Sequence, residues 1–232
     1  MSRPRPLVVL LALLIAVLAG CSKKDKPQDT AQLPGGPTLV TDASGAMRDV
    51  QSAHVVIASE GEVTGLPVKR ADGDLRRDGD AKGTITLEQL GQLVEYQFVV
   101  LGETIYLKGA TGGWLPLPAS VAVQAAQYDP SAILDPDRGV VKVLATASEA
   151  TTEAEETIDG RSTYRVAAKL DPTTAAALVP GVGPGVTSKL WLDKESKKLR
   201  RAVLTIPAAD GKSGTVTIDF TDFDKPVTVS AP

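Results

Sequence analysis

The stretch Gln92-Leu93-Val94-Glu95-Tyr96-Gln97-Phe98-Val99-Val100-Leu101 decides the fold. Successive side chains of an extended chain point to opposite faces, so Val94, Tyr96, Phe98 and Val100 fall together on one side, with Glu95 and Gln97 on the other. A strand with one apolar and one polar face belongs to an antiparallel sheet that is packed on one side and wetted on the other.

The pattern extends outward from there. Residues 53–59, 67–75 and 83–88 precede it as β-rich or alternating runs, separated by turns such as Arg77-Asp78-Gly79-Asp80, and residues 104–108 follow across Gly102-Glu103. Strands resume at 150–158 and 162–170, joined across Asp159-Gly160, a dipeptide suited to a two-residue hairpin turn. Three more follow at 186–193, 198–207 and 214–223. Helices interrupt this order. Leu39, Val40, Ala43, Met47 and Val50 recur at helical spacing behind Thr38, which can cap the start. Asp stands next to Pro at Asp129-Pro130 and Asp135-Pro136, which predicts short helices over 128–134 and 135–144, and Asp171-Pro172 opens another. The fold class is α+β, a mostly antiparallel sheet with inserted helices.

The beginning of the chain reads as an address. Arg3 and Arg5 precede an uninterrupted apolar run over 7–18. A membrane span needs roughly 20 apolar residues, so this shorter run is the core of an export signal covering residues 1–20. It ends in Leu18-Ala19-Gly20-Cys21, which resembles the lipobox of bacterial lipoproteins, where the cysteine thiol receives diacylglycerol. Two acyl chains anchor stably where one holds only marginally. Cys21 is the one cysteine, so no disulfide is available and stability rests on an ordinary core. Residues 21–37, rich in Lys, Asp, Pro and Gly, read as the lipidated cysteine and a flexible tether, and residues 38–232 as one domain. The location that follows is the outer face of the cytoplasmic membrane.

Composition removes several function classes. The net charge is −3 and aromatics make up only 4% of residues, against the basic, aromatic-interleaved face that nucleic acid requires. One histidine and one cysteine are too few for a metal site built on those ligands. No serine sits in a G-x-S-x-G elbow. Gly211-Lys212-Ser213 resembles the end of a phosphate-binding loop, but the glycine required five residues earlier is Ile206. Pro180-Gly181-Val182-Gly183-Pro184-Gly185 lacks the strand-turn-helix setting of a dinucleotide loop and reads as a connection or a flap. Glu149, Glu153, Glu155, Glu156 and Asp159 read as a solvated strand face, and His54 as structural. Lys194, Lys197, Lys198, Arg200 and Arg201 cluster around a hairpin, either as charges that keep a strand edge from pairing or as contacts for anionic headgroups. No catalytic residue, cofactor or metal is assigned.

Several separate segments, in order, resemble the mycobacterial LppX/LprG-type lipoproteins. They are Ser52-Ala53-His54, Gly65-Leu66-Pro67 with Gly73-Asp74-Leu75, Phe98-Val99-Val100, Tyr128-Asp129-Pro130 through Leu134-Asp135-Pro136-Asp137 and Gly139, and Thr157-Ile158-Asp159-Gly160. The similarity covers nearly all of the chain after the tether and is greatest to the LprG type. It implies a half-barrel antiparallel sheet with helices over its concave face around an apolar cavity. It also implies binding of acylated glycolipids and triacylglycerol and their movement across the envelope, alongside a membrane exporter.

An acyl chain leaving a bilayer exposes apolar surface at ~0.8 kcal/mol per methylene, on the order of 12 kcal/mol for sixteen carbons, so a carrier must offer a comparable cavity. On that reading Ile85, Leu87, Val94, Tyr96, Phe98 and Val100 line it, with Leu204, Ile206, Val216, Ile218 and Phe220 in second rank. An alternating apolar face serves a plain core equally well, and the sequence alone leaves both open. The leading expectation is a non-enzymatic, monomeric, membrane-anchored carrier of acylated lipids. A second is an accessory partner of an envelope lipid exporter with no cavity of its own, and a third is a hydrolase using serine and His54.

Overall fold

The computed structural model describes residues 33–126, 130–180, 182–208 and 211–232. The residues read as an export signal, Cys21 and the stretch read as tether as far as Gln32 lie outside the described residues, as do Tyr128 and Asp129.

Eleven strands form one antiparallel sheet, open at both edges, in the order β6-β5-β4-β3-β2-β1-β11-β10-β9-β8-β7. Its N-terminal wing holds β1 (Ser52–Glu60), β2 (Val68–Arg76), β3 (Ala81–Gln89), β4 (Gln92–Leu101), β5 (Thr104–Lys108) and β6 (Leu115–Pro118). The C-terminal wing holds β7 (Ser148–Ile158), β8 (Arg161–Lys169), β9 (Thr187–Asp193), β10 (Leu199–Pro207) and β11 (Ser213–Thr221). Within each wing every strand pairs with its neighbour in sequence. The wings join at a single seam, where β1 runs antiparallel to β11 from His54↔Thr221 to Glu60↔Thr215.

The expected strands are all present, and β4 and β5 keep the expected bounds. The sheet also contains β6, an edge strand carrying Pro116 and Pro118. Proline is tolerated there because an edge strand has one side that needs no donor, and it hinders further strand addition. Behind β6 lies a short helix, α2 (Ala119–Ala126).

Three other helices cover the concave face of the C-terminal wing. The first, α1, spans Gly36–Arg48 with Pro37 in its first turn, so it starts ahead of Thr38, inside the stretch read as tether. Gly36 is needed because a Cβ there would lie 2.4 Å from the Ala150 carbonyl oxygen of β7. Thr152 also donates to the Pro34 carbonyl (2.6 Å), holding the entering chain against the sheet. Ser44 on α1 donates to the Val141 carbonyl (3.0 Å) of α3 (Val140–Thr146). The last helix, α4 (Pro172–Ala176), starts as expected: the Asp171 side chain accepts from the Thr174 amide (2.9 Å) with Pro172 in the first turn. Asp135-Pro136 behaves otherwise. Its carboxylate accepts from the amides of Asp137 and Arg138 and its carbonyl from Gly139, making a tight turn, so only a 3₁₀ turn (Pro130–Ala132) and α3 form where two helices were expected.

Beneath these helices lies the core. Leu39, Val40, Ala43 and Met47 of α1 and Val140, Val141, Val143 and Leu144 around α3 are buried, as are Val166, Leu190, Leu192, Ala202, Leu204, Ile206, Val216, Ile218 and Phe220 of the strands. The void left in this wing is about 30 Å³.

Candidate functional site

The N-terminal wing is built from the same alternation but is not filled. Its concave face encloses a cavity of about 490 Å³. Val55 and Ile57 of β1 border it, with Ala71 and Leu75 of β2, Ile85 and Leu87 of β3, Tyr96, Phe98 and Val100 of β4, Ile105 and Leu107 of β5, and Leu117 of β6. Ile133, just past the 3₁₀ turn, adds a further wall, and no residue of α1 to α4 borders the cavity among the described residues.

Two glycines shape it. Gly73 pairs with Gly83, and Gly83 with Phe98, across β2, β3 and β4. A Cβ on Gly83 would lie 2.2 Å from the Asp72 carbonyl oxygen, and one on Gly73 3.2 Å from the Phe98 ring. Bare backbone lets the strands close up and the sheet bend, while the ring covers the space the missing side chains leave.

The cavity has a closed end and an open one. Along β4, Val100 is buried, Phe98 and Tyr96 are half-buried, and across the hairpin Gln89 is exposed. Ile105 is buried at the closed end, where Ser131 packs against Gly79 in the β2–β3 turn. At the open end Tyr96 Oη donates to Gln89 Oε1 (3.4 Å), the polar side chains of the rim. The Asp72 carboxylate is turned to the other face of the sheet, so the interior is apolar and carries no acid–base pair.

Of the residues singled out in the sequence, Ile85, Leu87, Tyr96, Phe98 and Val100 border this cavity. Val94 pairs with Leu87 on the same face, half-buried, and does not border it. Leu204, Ile206, Val216, Ile218 and Phe220 occupy the same concave face in the other wing and are buried there, Leu204, Ile218 and Phe220 beside residues of α3 and α4. The structure therefore does not bring the two groups to one space. Val55, Ile57, Ile105 and Leu107 were not singled out, although their runs also alternate. Leu117 lies in a strand the sequence did not announce.

His54 stands on the convex face, where its Nδ1 is 2.9 Å from Asp74 Oδ1 and its Nε2 3.3 Å from Asp72 Oδ1. The sheet thus separates the one imidazole from the cavity. The acidic run is paired as a solvated face would be: Glu149 with Lys169, Glu153 with Arg165 and Lys189, Glu155 with Lys194, Glu156 with Arg165.

The basic cluster forms the β9–β10 turn between interior strands, so it protects no edge. Its cations are engaged: Lys194 with Glu155 (2.8 Å), Lys198 with Asp224 (2.6 Å), Arg200 with Asp193 (3.3 Å) and Arg201 with Asp219 (2.5 Å), while Lys197 donates to the Lys194 carbonyl (2.9 Å). Asp193 is the hub, its side chain only 1% exposed. Burial alone would push its carboxyl up. The Arg161 guanidinium and the amides of Ser196 and Glu195 outweigh burial and hold it well below the usual aspartate range.

The model of the LppX_LprAFG lipoprotein family matches residues 36–229, which takes in every strand and helix described above. The chain belongs to this family. One relative is the lipoarabinomannan carrier protein LprG of Mycolicibacterium smegmatis, 33% identical over 100% of this chain and 98% of the relative. The protein of the same name from Mycobacterium tuberculosis is 30% identical over 82% of this chain and 80% of the relative. Among solved structures, LprF from Mycobacterium bovis superposes with a TM-score of 0.74 at 26% identity, covering 85% of this chain and 96% of its own. LppX from Mycobacterium tuberculosis gives 0.62 at 24% identity, covering 84% and 99%, and shares the curved open sheet.

Proposed function

We propose that the cavity of the N-terminal wing holds the acyl chains of a membrane lipid or glycolipid. The protein, anchored through lipid on Cys21 at the outer face of the cytoplasmic membrane, then transfers that lipid within the envelope as a non-enzymatic monomeric carrier. A membrane exporter is the partner class that suits this role. The observation that carries the reading is an apolar space left open in one wing while the other is filled. At the roughly 30 Å³ that one water-sized group occupies in a liquid, 490 Å³ accommodates on the order of sixteen such groups, at least one long acyl chain. The relatives named as carriers support the same role, and an accessory protein without a cavity would have both wings filled.

The test is mass spectrometry of an organic extract of the Cys21→Ser chain, which has no acyl anchor of its own. Acylated lipid should co-purify with it and be lost from Ile85→Trp, whose indole projects into the cavity, while the melting temperature stays close to that of the parent. A lipid-free extract from folded protein, or undiminished lipid in Ile85→Trp, overturns the proposal.

A further inference from the structure

The concave side of the N-terminal wing is ruled in rows. Cross-strand register sets Leu75, Ala81, Val100, Ile105 and Leu117 side by side. The next row toward the open end is Gly73, Gly83, Phe98 and Leu107, then come Ala71, Ile85 and Tyr96, and then Leu87 with Val94. Each row stands two residues beyond the last, because only alternate side chains share a face. The first row is a floor. Leu75, Ala81, Val100 and Ile105 are buried, and in the turn below it a Cβ on Gly79 would meet that of Ser131 at 3.0 Å. At the other end the wall stops at Gln89, after which the hairpin turns at Leu90-Gly91 and Leu90 is fully exposed.

Depth and volume together fix the width. From the Val100 row to the Leu87 row the chain of β4 runs from Val100 to Val94, about 20 Å at ~3.4 Å per residue. An all-trans hydrocarbon with bonds of ~1.5 Å advances roughly 1.25 Å per carbon, so this depth takes about sixteen carbons in single file. The volume of about 490 Å³ also takes about sixteen groups, at ~30 Å³ each. The two figures agree only for a bore one chain wide, since a pair lying side by side would fill the same depth with double the volume. Little else is on offer for selection. Among the described residues that border the cavity none is a lysine or arginine, and the rim presents Gln89 and the Tyr96 hydroxyl.

We infer, on the cavity reading above, that this space takes one acyl chain at a time and measures it, with the methyl end against Val100 and Ile105 and the headgroup outside the Gln89 rim. The cargo class is a lipid with a single long acyl chain. A second chain on the same lipid finds no place inside.

The test loads the Cys21→Ser chain, freed of bound lipid on a hydrophobic resin, with lysophosphatidylcholines from dodecanoyl to docosanoyl, each below its micelle threshold, and counts bound lipid by native mass spectrometry. One lipid should bind per protein. Affinity should rise by roughly fourfold with each added carbon, and level off near about sixteen to eighteen carbons, where the chain reaches the floor. Dioctanoyl phosphatidylcholine, with the acyl carbons of the palmitoyl lysolipid split between two chains, should bind more weakly than that lysolipid by over about a hundredfold. Val100→Phe raises the floor and should bring the plateau forward by about three carbons. Leu117→Phe, in the same row on the edge strand, serves the same purpose if a ring at position 100 prevents folding. Two lipids per protein, an affinity that climbs without a plateau, dioctanoyl lipid bound as tightly as the palmitoyl lysolipid, or a plateau that the folded variant leaves in place overturns the single-chain limit and spares the cavity. No binding at any chain length overturns both.

Discussion

The two wings are written in one grammar and end in different states. Each is a meander of alternating strands with its apolar side on the concave face, yet the C-terminal wing is packed to a void of about 30 Å³ and the N-terminal wing keeps about 490 Å³. The difference lies in what covers them. α1, α3 and α4 seat Met47, Val141, Leu144 and Ala175 over the first, while the second receives only Ile133 at its closed end and β6 at its edge. Strand patterning thus builds a concave apolar face, and helix placement decides whether that face becomes a core or a container.

The sharpest way to break this contrast is to truncate one phenylalanine in each wing. Phe220→Ala removes a fully buried ring from close-packed surroundings and should cost about 3–5 kcal/mol in urea unfolding. Phe98→Ala enlarges a space already open and should cost about 1 kcal/mol, because few contacts remain to be lost. Equal penalties would mean the N-terminal wing is not open in solution.

A smaller effect concerns the polar end of the packed wing. Asp193→Ala leaves the Glu195 and Ser196 amides and the Arg161 and Arg200 guanidiniums without their acceptor and should cost about 2–3 kcal/mol. Because the folded carboxyl is held below the ordinary aspartate value of 3.8, its contribution is complete above that value and is lost as pH falls toward the folded value. Unfolding followed from about pH 5 down to pH 2 should therefore weaken the parent more steeply than the variant. Parallel pH curves would remove Asp193 as the cause. Smallest of all, Leu90→Asp should leave stability within about 0.5 kcal/mol, since the residue it replaces touches solvent alone. A larger loss would mean that Leu90 packs into the fold.

The strands were legible wherever alternation and turn chemistry agreed. The β4 pattern, the Asp159-Gly160 hairpin and the Asp171-Pro172 helix start each follow from one residue type at the right spacing. β6 was not legible, because Leu115-Pro116-Leu117-Pro118 argues against a strand everywhere except at an edge, and edge position is a tertiary fact. α2 carries no acidic residue in its first turn and no basic residue in its last. Five of the eleven singled-out residues border the space, because β3 and β4 lie in the open wing. Leu204 to Phe220 show the same alternation, and nothing in their own strands says that α3 and α4 will fall on them. Family membership was carried by separated segments and needed no structure.

The seam between β1 and β11 also governs the order in which the chain can fold. Each wing is a run of local hairpins that can form as soon as its own residues are available, with short loops to close. Joining them requires residues 54–60 to meet residues 215–221, and β11 is the last of the described strands to become available when the chain is delivered N-terminus first. Until it emerges, both wings present an unpaired strand, and the sheet stays incomplete. Assembly of the sheet is thus tied to the end of chain delivery: a chain stalled short of Ser213 would expose two sticky edges to proteases and chaperones, and a complete one would hide both in a single step.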